Sequence, residues 1–237
     1  MKIVGFQKLS LVDFPKKVSC VIFTEGCNYR CPFCYNSSLV YDKRADQYEE
    51  EEILEYLDKR KNILDAVVIS GGEPTLQKDL IKFIKKIRKL PVLIKLDTNG
   101  TNPDILEKLI NEKLIDYVAM DIKNSFDKYL LTTGVENARL DNIRKSIEIL
   151  KRKEIDYEFR TTIVKEFHTK EDIKKIKENI DDSKYYLQNF SDNENVYYAG
   201  LHAFDDCELL DIKNNVSGVT IRGITLDRKE EEINVPC

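Results

Sequence analysis

Cys27, Cys31 and Cys34 stand within eight residues of one another, in the run Gly26-Cys27-Asn28-Tyr29-Arg30-Cys31-Pro32-Phe33-Cys34-Tyr35-Asn36. The other cysteines, Cys20, Cys207 and Cys237, are scattered. A secreted disulfide framework spreads its cysteines through a short, loop-rich chain, whereas a tight cluster points to metal. Thiolates are the usual ligands of iron–sulfur clusters, and a cubane ordinarily takes four of them. The C-x3-C-x2-C spacing supplies three, so one iron is left for a ligand that is not protein. An open coordination position is what separates a reactive metal site from a sealed structural one. Two closed readings stand beside it: a zinc knob completed by another cysteine, and an ordinary ferredoxin-like cluster. Cys20 is the nearest spare thiol, but it lies in an apolar run and reads more simply as a small buried residue. Histidine is limited to His168 and His202, which argues against a His-rich zinc site and against Cys-His catalysis.

Other chemistry-bearing residues fall just after β-branched runs. Ser70-Gly71-Gly72-Glu73-Pro74 places two glycines where backbone approaches a ligand closely, although Gly and Pro also serve ordinary strand-to-helix turns. Asp97-Thr98-Asn99-Gly100 and Met120-Asp121-Ile122-Lys123 put a carboxylate at two further run ends. One such Asp alone reads best as a helix cap. Arg160 reads equally well as the partner of one of these carboxylates.

The elements that position these residues alternate. Candidate strands cover Val18–Thr24, Asp65–Ser70, Val92–Asp97, Tyr117–Asp121, Tyr157–Val164 and Tyr185–Gln188. Helical periodicity between them runs through Ile53, Leu54 and Leu57; Leu76, Leu80, Ile84 and Ile87; Ile105, Leu106, Leu109 and Ile110; Leu140, Ile143, Ile147 and Leu150; and Ile173, Ile176 and Ile180. This is the signature of βα units on a parallel sheet. The fold class expected is α/β: a partial (β/α)6 TIM-like barrel over residues 1–195, with a short C-terminal extension over 196–237 packed on it. That extension shows β-like pieces, Val219–Ile224, and no clear helix. The cysteines then lie on the first βα loop, at the C-terminal rim where barrels of this kind carry function.

Composition bounds the rest. The chain has 237 residues, 42% hydrophobic and 34% charged, enough for a sizeable core under solvated helix faces. A net charge of −4 announces no nucleic-acid footprint. Apolar runs such as Ala66–Ile69 are far too short to span a bilayer. No leader is read at the N-terminus, so a cytoplasmic protein with no membrane or nucleic-acid partner is expected.

C-x3-C-x2-C with Phe33 before the third cysteine resembles the signature of the radical S-adenosylmethionine (SAM) superfamily, and Gly71-Gly72-Glu73-Pro74 is similar to its glycine-rich motif. The resemblance implies that Cys27, Cys31 and Cys34 hold a [4Fe–4S] cluster whose open iron chelates SAM. An electron then cleaves SAM to methionine and a 5′-deoxyadenosyl radical. Phe33 and Tyr35 are implied near the adenine, Asn36 among the SAM-binding residues, and Gly71, Gly72 and Glu73 near the methionine end. Asp97-Thr98-Asn99-Gly100 and Asp121-x-Lys123 resemble the glycyl-radical-enzyme activating enzymes, as does Leu9-Ser10-Leu11-Val12-Asp13-Phe14-Pro15. In that family Asp97, Thr98 and Asp121 correspond to ligands of a monovalent cation, while Lys123 and Arg160 contact SAM. The most similar group activates anaerobic ribonucleoside-triphosphate reductase, and the pyruvate formate-lyase activating enzyme is next. The chain departs from it in having Tyr35 where a histidine is usual and Lys16 where a glycine is usual. The implied partners are a glycyl-radical enzyme and, as electron donor, a flavodoxin or ferredoxin. Asp13 is expected to grip the partner's loop. Valine at Gly71 or Gly72 is expected to block SAM while leaving iron in place. Radical SAM chemistry on a small molecule, as in 7-carboxy-7-deazaguanine synthase, and a non-catalytic iron–sulfur protein are the other readings.

Overall fold

The computed structural model describes residues 1–41 and 47–222. Its strands form one sheet, and their order in space is their order in the chain. β1 (Ile3–Ser10) runs antiparallel to β2 (Ser19–Thr24). β3 (Ala66–Gly71), β4 (Leu93–Thr98), β5 (Tyr117–Asp121), β6 (Asp156–Ile163), β7 (Tyr185–Asn189) and β8 (Val219–Arg222) follow β2, all parallel. β1 and β8 are the two edges, so the barrel is partial and unclosed, as expected.

Helices carry each crossover: α1 (Ser37–Tyr41) and α2 (Glu50–Arg60), α3 (Leu80–Ile87), α4 (Pro103–Asn111), α5 (Tyr129–Thr133) and α6 (Leu140–Lys151), α7 (Lys170–Ile180) and α8 (Asp206–Asn215). The apolar periodicity does what the sequence requires. Ile53 and Leu57, Phe83 and Ile84, Leu106 and Leu109, Ile143 and Leu150, and Ile173 and Ile180 are buried against the sheet. Leu76 is the exception. Proline at position 74 starts a short 3-10 turn there, Leu76 is exposed, and α3 begins at Leu80.

The tail differs from the expectation. A helix, α8, precedes β8, and together they add one more βα unit to the sheet. Its apolar signal is thin, with only Leu209 and Ile212 buried. Its start is marked instead by a capping box: Asp205 accepts from the Glu208 backbone N at 3.0 Å, and Glu208 accepts from the Asp205 N at 2.8 Å. Residues 223 and 224 of the expected strand, and Cys237, lie outside the described residues. β1 also escaped sequence reading, because two register shifts against β2 break its alternation.

Parallel strands are buried on both faces, and the two faces here differ. Cys20, Ile22, Val67, Ile69, Ile94, Leu96, Val118 and Met120 pack under the helices. On the inner face, Val21, Ala66, Val68 and Tyr117 form a small apolar plug with Phe14, whose ring lies 5.5 Å from that of Tyr117. Beside and beyond this plug the inner face turns charged, with Lys95, Asp97, Asp121, Glu158 and Arg160. Lys16, in the turn before β2, holds φ 60°, a conformation in which glycine is ordinarily preferred.

Candidate active site

A cavity of about 320 Å³, within the size range of ligand sites, opens at the C-terminal ends of the strands. Cys27, Cys31 and Cys34 line it, facing Asp97, Asp121, Lys123 and Arg160. Asp13 also lines it.

The cysteine loop leaves β2 and is braced on several sides. Buried Tyr29 donates its hydroxyl to the Ala138 carbonyl at 2.7 Å. The Arg30 backbone N donates to the Thr133 carbonyl at 2.8 Å, and the Arg30 guanidinium donates to the Cys27 carbonyl at 2.7 Å. A tight turn, Cys34 N to Cys31 O at 3.1 Å, brings the last two thiols to one side. Burial pushes the Cys27 thiol up to about 11 and the Cys31 thiol up to about 12, and raises Cys34 as well. The Lys123 ammonium pulls all three back down. Buried thiols that stay protonated alone, beside a fixed positive charge, fit a ligand set that ionises on binding a cationic metal cluster. Among the described residues no three Cys, His, Asp or Glu groups form a single-ion ligand set; thiolates on a cubane each take a different iron. Cys20 points to the helix face of β2, away from the cavity, and burial raises its thiol to about 12.

The glycine turn lines the cavity and also packs against the cysteine loop. A Cβ on Gly72 would sit 1.9 Å from the Gly26 carbonyl oxygen, and one on Gly71 would sit 2.2 Å from the Thr24 N. Gly71 also has φ +117°. The two glycines let the β3 end lie against the backbone that leads into Cys27, tied by Gly72 N to Thr24 O at 2.9 Å and Glu73 N to Gly26 O at 2.8 Å. Valine at either position therefore displaces the cysteine loop itself. The expectation that such a change spares the iron meets this contact, and iron analysis of the variant tests it. Asn36 joins the same contact, donating to the Gly71 carbonyl at 3.1 Å.

Glu73 lines the cavity, but its buried carboxylate accepts from the Thr75 N and hydroxyl, from the Thr98 hydroxyl at 2.8 Å and from the Asn99 N at 2.7 Å. Burial raises its pKa against these donors. Phe33 is buried and packs on Phe167 and His168, with ring centroids 5.9 Å and 6.1 Å away. Tyr35 is more exposed. Its ring stacks on Phe190, and its hydroxyl accepts from the Ser191 N at 2.8 Å. Asp13 accepts from the Ser10 hydroxyl, so its carboxylate is engaged locally.

The floor of the cavity is a chain of ion pairs. The Arg160 Nε donates to Asp121 Oδ1 at 2.9 Å, and a second Arg160 nitrogen lies 3.6 Å from Asp97 Oδ2. The Lys123 ammonium donates to Asp121 Oδ2 at 3.0 Å. Burial favours neutral Asp121, but Arg160 and Lys123 outweigh it and hold this carboxyl down at about 2. Asp97 is likewise held below the ordinary range, against burial, by Arg160 and Lys95. Sequence reasoning singled out Asp97, Asp121, Lys123 and Arg160, and the fold brings them together. It missed Lys95, although Lys95 and Asp97 are two apart on one strand and so share a face. It also missed His168, whose Nε2 lies 2.9 Å from the Lys123 carbonyl while its Nδ1 lies 3.1 Å from the Val164 N. Neither has a local motif: Lys95 also reaches the Asp13 carbonyl, and His168 reaches the Lys123 carbonyl, each far away in sequence.

The family model of the radical SAM superfamily matches residues 21–180. A Methanocaldococcus jannaschii protein named as a glycyl-radical enzyme activating enzyme is 41% identical over 191 residues, covering 78% of each chain. The pyruvate formate-lyase-activating enzyme of Clostridium pasteurianum is 30% identical over 153 residues, 62% of this chain and 63% of that one. Among solved structures, Streptococcus suis SuiB bound to S-adenosylmethionine superposes with a TM-score of 0.68 at 18% identity, over 86% of this chain and 50% of that one, a likeness of fold.

Proposed function

The chain belongs to the radical SAM superfamily, and we propose that within it the protein is an activase that generates a glycyl radical on a partner enzyme, anaerobic ribonucleoside-triphosphate reductase. The observation that carries this reading is the junction, in one cavity, of the three cysteines with the paired Asp121 and Lys123 beneath them. The relatives named as glycyl-radical activating enzymes support it.

In this reading Cys27, Cys31 and Cys34 hold a [4Fe–4S] cluster, which when bound supplies the electron for reductive cleavage of SAM; the donor to it is a flavodoxin or ferredoxin. Lys123 and Arg160 meet the SAM carboxylate. Asp121 spans the two cations, at 3.0 Å and 2.9 Å, and keeps them from drifting into solvent. Phe33 and Tyr35 border the adenine end of the cavity. The unclosed side of the barrel admits a protein loop, and a loop that plugs the cavity excludes water during the reaction. Glycine on that loop permits the closest backbone approach.

The test starts with anaerobic reconstitution, addition of SAM and dithionite, and measurement of 5′-deoxyadenosine. Full-length anaerobic ribonucleotide reductase should then acquire a doublet glycyl signal in electron paramagnetic resonance. SAM cleavage coupled to turnover of a small molecule, with no radical in the reductase, would sink the activase reading and leave the superfamily chemistry intact.

A further inference from the structure

Lys95 is the one lysine of the barrel interior that neither motif nor family resemblance assigns. It projects from the middle of β4 with its side chain 2% exposed. Its ammonium lies 3.0 Å from Asp97 Oδ1 and donates to the Asp13 carbonyl at 2.5 Å. Asp97 Oδ1 receives no hydrogen bond of good geometry from any described residue, so the Lys95 charge is what compensates this buried oxygen. The opposite oxygen, Oδ2, accepts from the Ser70 hydroxyl at 3.0 Å.

The oxygens that family resemblance places around a monovalent cation are thus engaged by the chain. Asp97 faces Lys95 and Arg160, and Asp121 faces Arg160 and Lys123. The Thr98 hydroxyl donates to Glu73 and accepts from the Gly100 N at 3.1 Å. Two carboxylates meet three side-chain cations, before any carboxylate arrives with SAM. An added alkali ion at Asp97 would be repelled at short range by a fixed ammonium in a site with little screening. The arrangement does not fit a recruited cation.

We propose that Lys95 is the resident counter-ion of this carboxylate pair, a positioning residue that lets the protein bind SAM without a monovalent metal ion. The proposal rests on SAM occupying this cavity. Burying a lysine is costly unless it is paired, and here its two contacts join the N-terminal loop at Asp13 to the strand end at Asp97.

The test uses the reconstituted holoenzyme and reads the SAM dissociation constant by calorimetry in potassium, sodium and choline chloride at equal ionic strength. The wild-type value should agree within about twofold across the salts, because no site-bound alkali ion is involved. Lys95→Met should bind SAM about tenfold or more weakly in choline, with potassium restoring much of the loss, and Lys95→Arg should stay insensitive to the salt. A wild-type affinity that rises tenfold when potassium replaces choline overturns the proposal, even if Lys95→Met fails to fold. So does Lys95→Met binding SAM normally in choline. No SAM binding in any salt overturns the functional reading itself, and this proposal with it.

Discussion

Alanine at Gly72 is the sharpest perturbation the site offers. Its Cβ would lie 1.9 Å from the Gly26 oxygen and 2.5 Å from the Gly26 carbonyl carbon. Contact distances near 3.5 Å are the norm between such atoms, so one of two backbones must move by more than about 1 Å. Neither is the end of a flexible side chain. That displacement breaks the hydrogen bonds from Gly72 to Thr24 and from Glu73 to Gly26, each worth about 1 kcal/mol. Residual overpacking adds about 1 kcal/mol or more. The sum, about 3 kcal/mol, corresponds to a fall in Tm of roughly 6–12 °C for a domain of this size. Because the backbone pushed aside is the one leading into Cys27, iron retained after anaerobic reconstitution should fall to well under half of the roughly four atoms a cubane holds. Gly26→Ala is the control. A Cβ there meets nothing within 4 Å, although φ is +82°, so only conformational strain of about 1 kcal/mol is expected and iron should be retained. Thermal denaturation of the apo chain and iron and sulfide analysis of the loaded one check both. If Gly72→Ala keeps its Tm and full iron while losing SAM, the backbone-contact reasoning is wrong and the glycines serve the ligand.

Alanine at Cys27, Cys31 or Cys34 should abolish the cluster's visible absorption, whereas Cys20→Ala should keep its iron; loss of iron in Cys20→Ala would revive a closed four-cysteine site. Arg222 grips buried Glu158 with two bonds of 2.9 Å, so Arg222→Ala should destabilise by about 2 kcal/mol, discounted for the partial exposure of Arg222. A urea midpoint unchanged in that variant would show β8 to be energetically idle. Asp121 is depressed to about 2 when folded, so the stability it contributes is complete above its unfolded value near ~3.9 and is lost as pH falls toward 2. With Asp121 partly reached by solvent, the expected loss is about 1–2 kcal/mol. Urea midpoints measured from pH 5 to 2 should fall less steeply in Asp121→Asn, and an identical slope would refute the assignment.

What the sequence discloses is what lies close in sequence. Cys27, Cys31 and Cys34 are legible because the three lie within eight residues, and Asp97 and Asp121 because each closes a candidate strand. The strand expected over Tyr117–Asp121 is observed with those bounds. The clash of Gly72 with Gly26 is not legible, since it joins loops whose approach exists only after β2 and β3 pair in register, Thr24 beside Gly71. Lys95 is hidden for a related reason. Ile94-Lys95-Leu96-Asp97 alternates as a half-exposed strand does, so the pattern reads Lys95 as facing solvent, and its partner Asp13 is 82 residues away. α8 carries little apolar period, and its start is marked by Asp205 and Glu208, a signal that polar residues carry.

The sheet's spatial order repeats the chain's order without exception, and this bears on how the protein is made. Each new strand pairs with the strand completed just before it, so no pairing waits for a distant segment, and loop-closure entropy is lost in small instalments. A chain emerging from the ribosome can extend one growing sheet edge, unit by unit. Cys27, Cys31, Cys34, the Gly71–Gly72 contact, Asp97 and Asp121 all lie in the first 121 residues. The cysteine side of the cavity is therefore synthesised before Arg160 and β8, while the braces of its loop at Thr133 and Ala138 follow with the next segment.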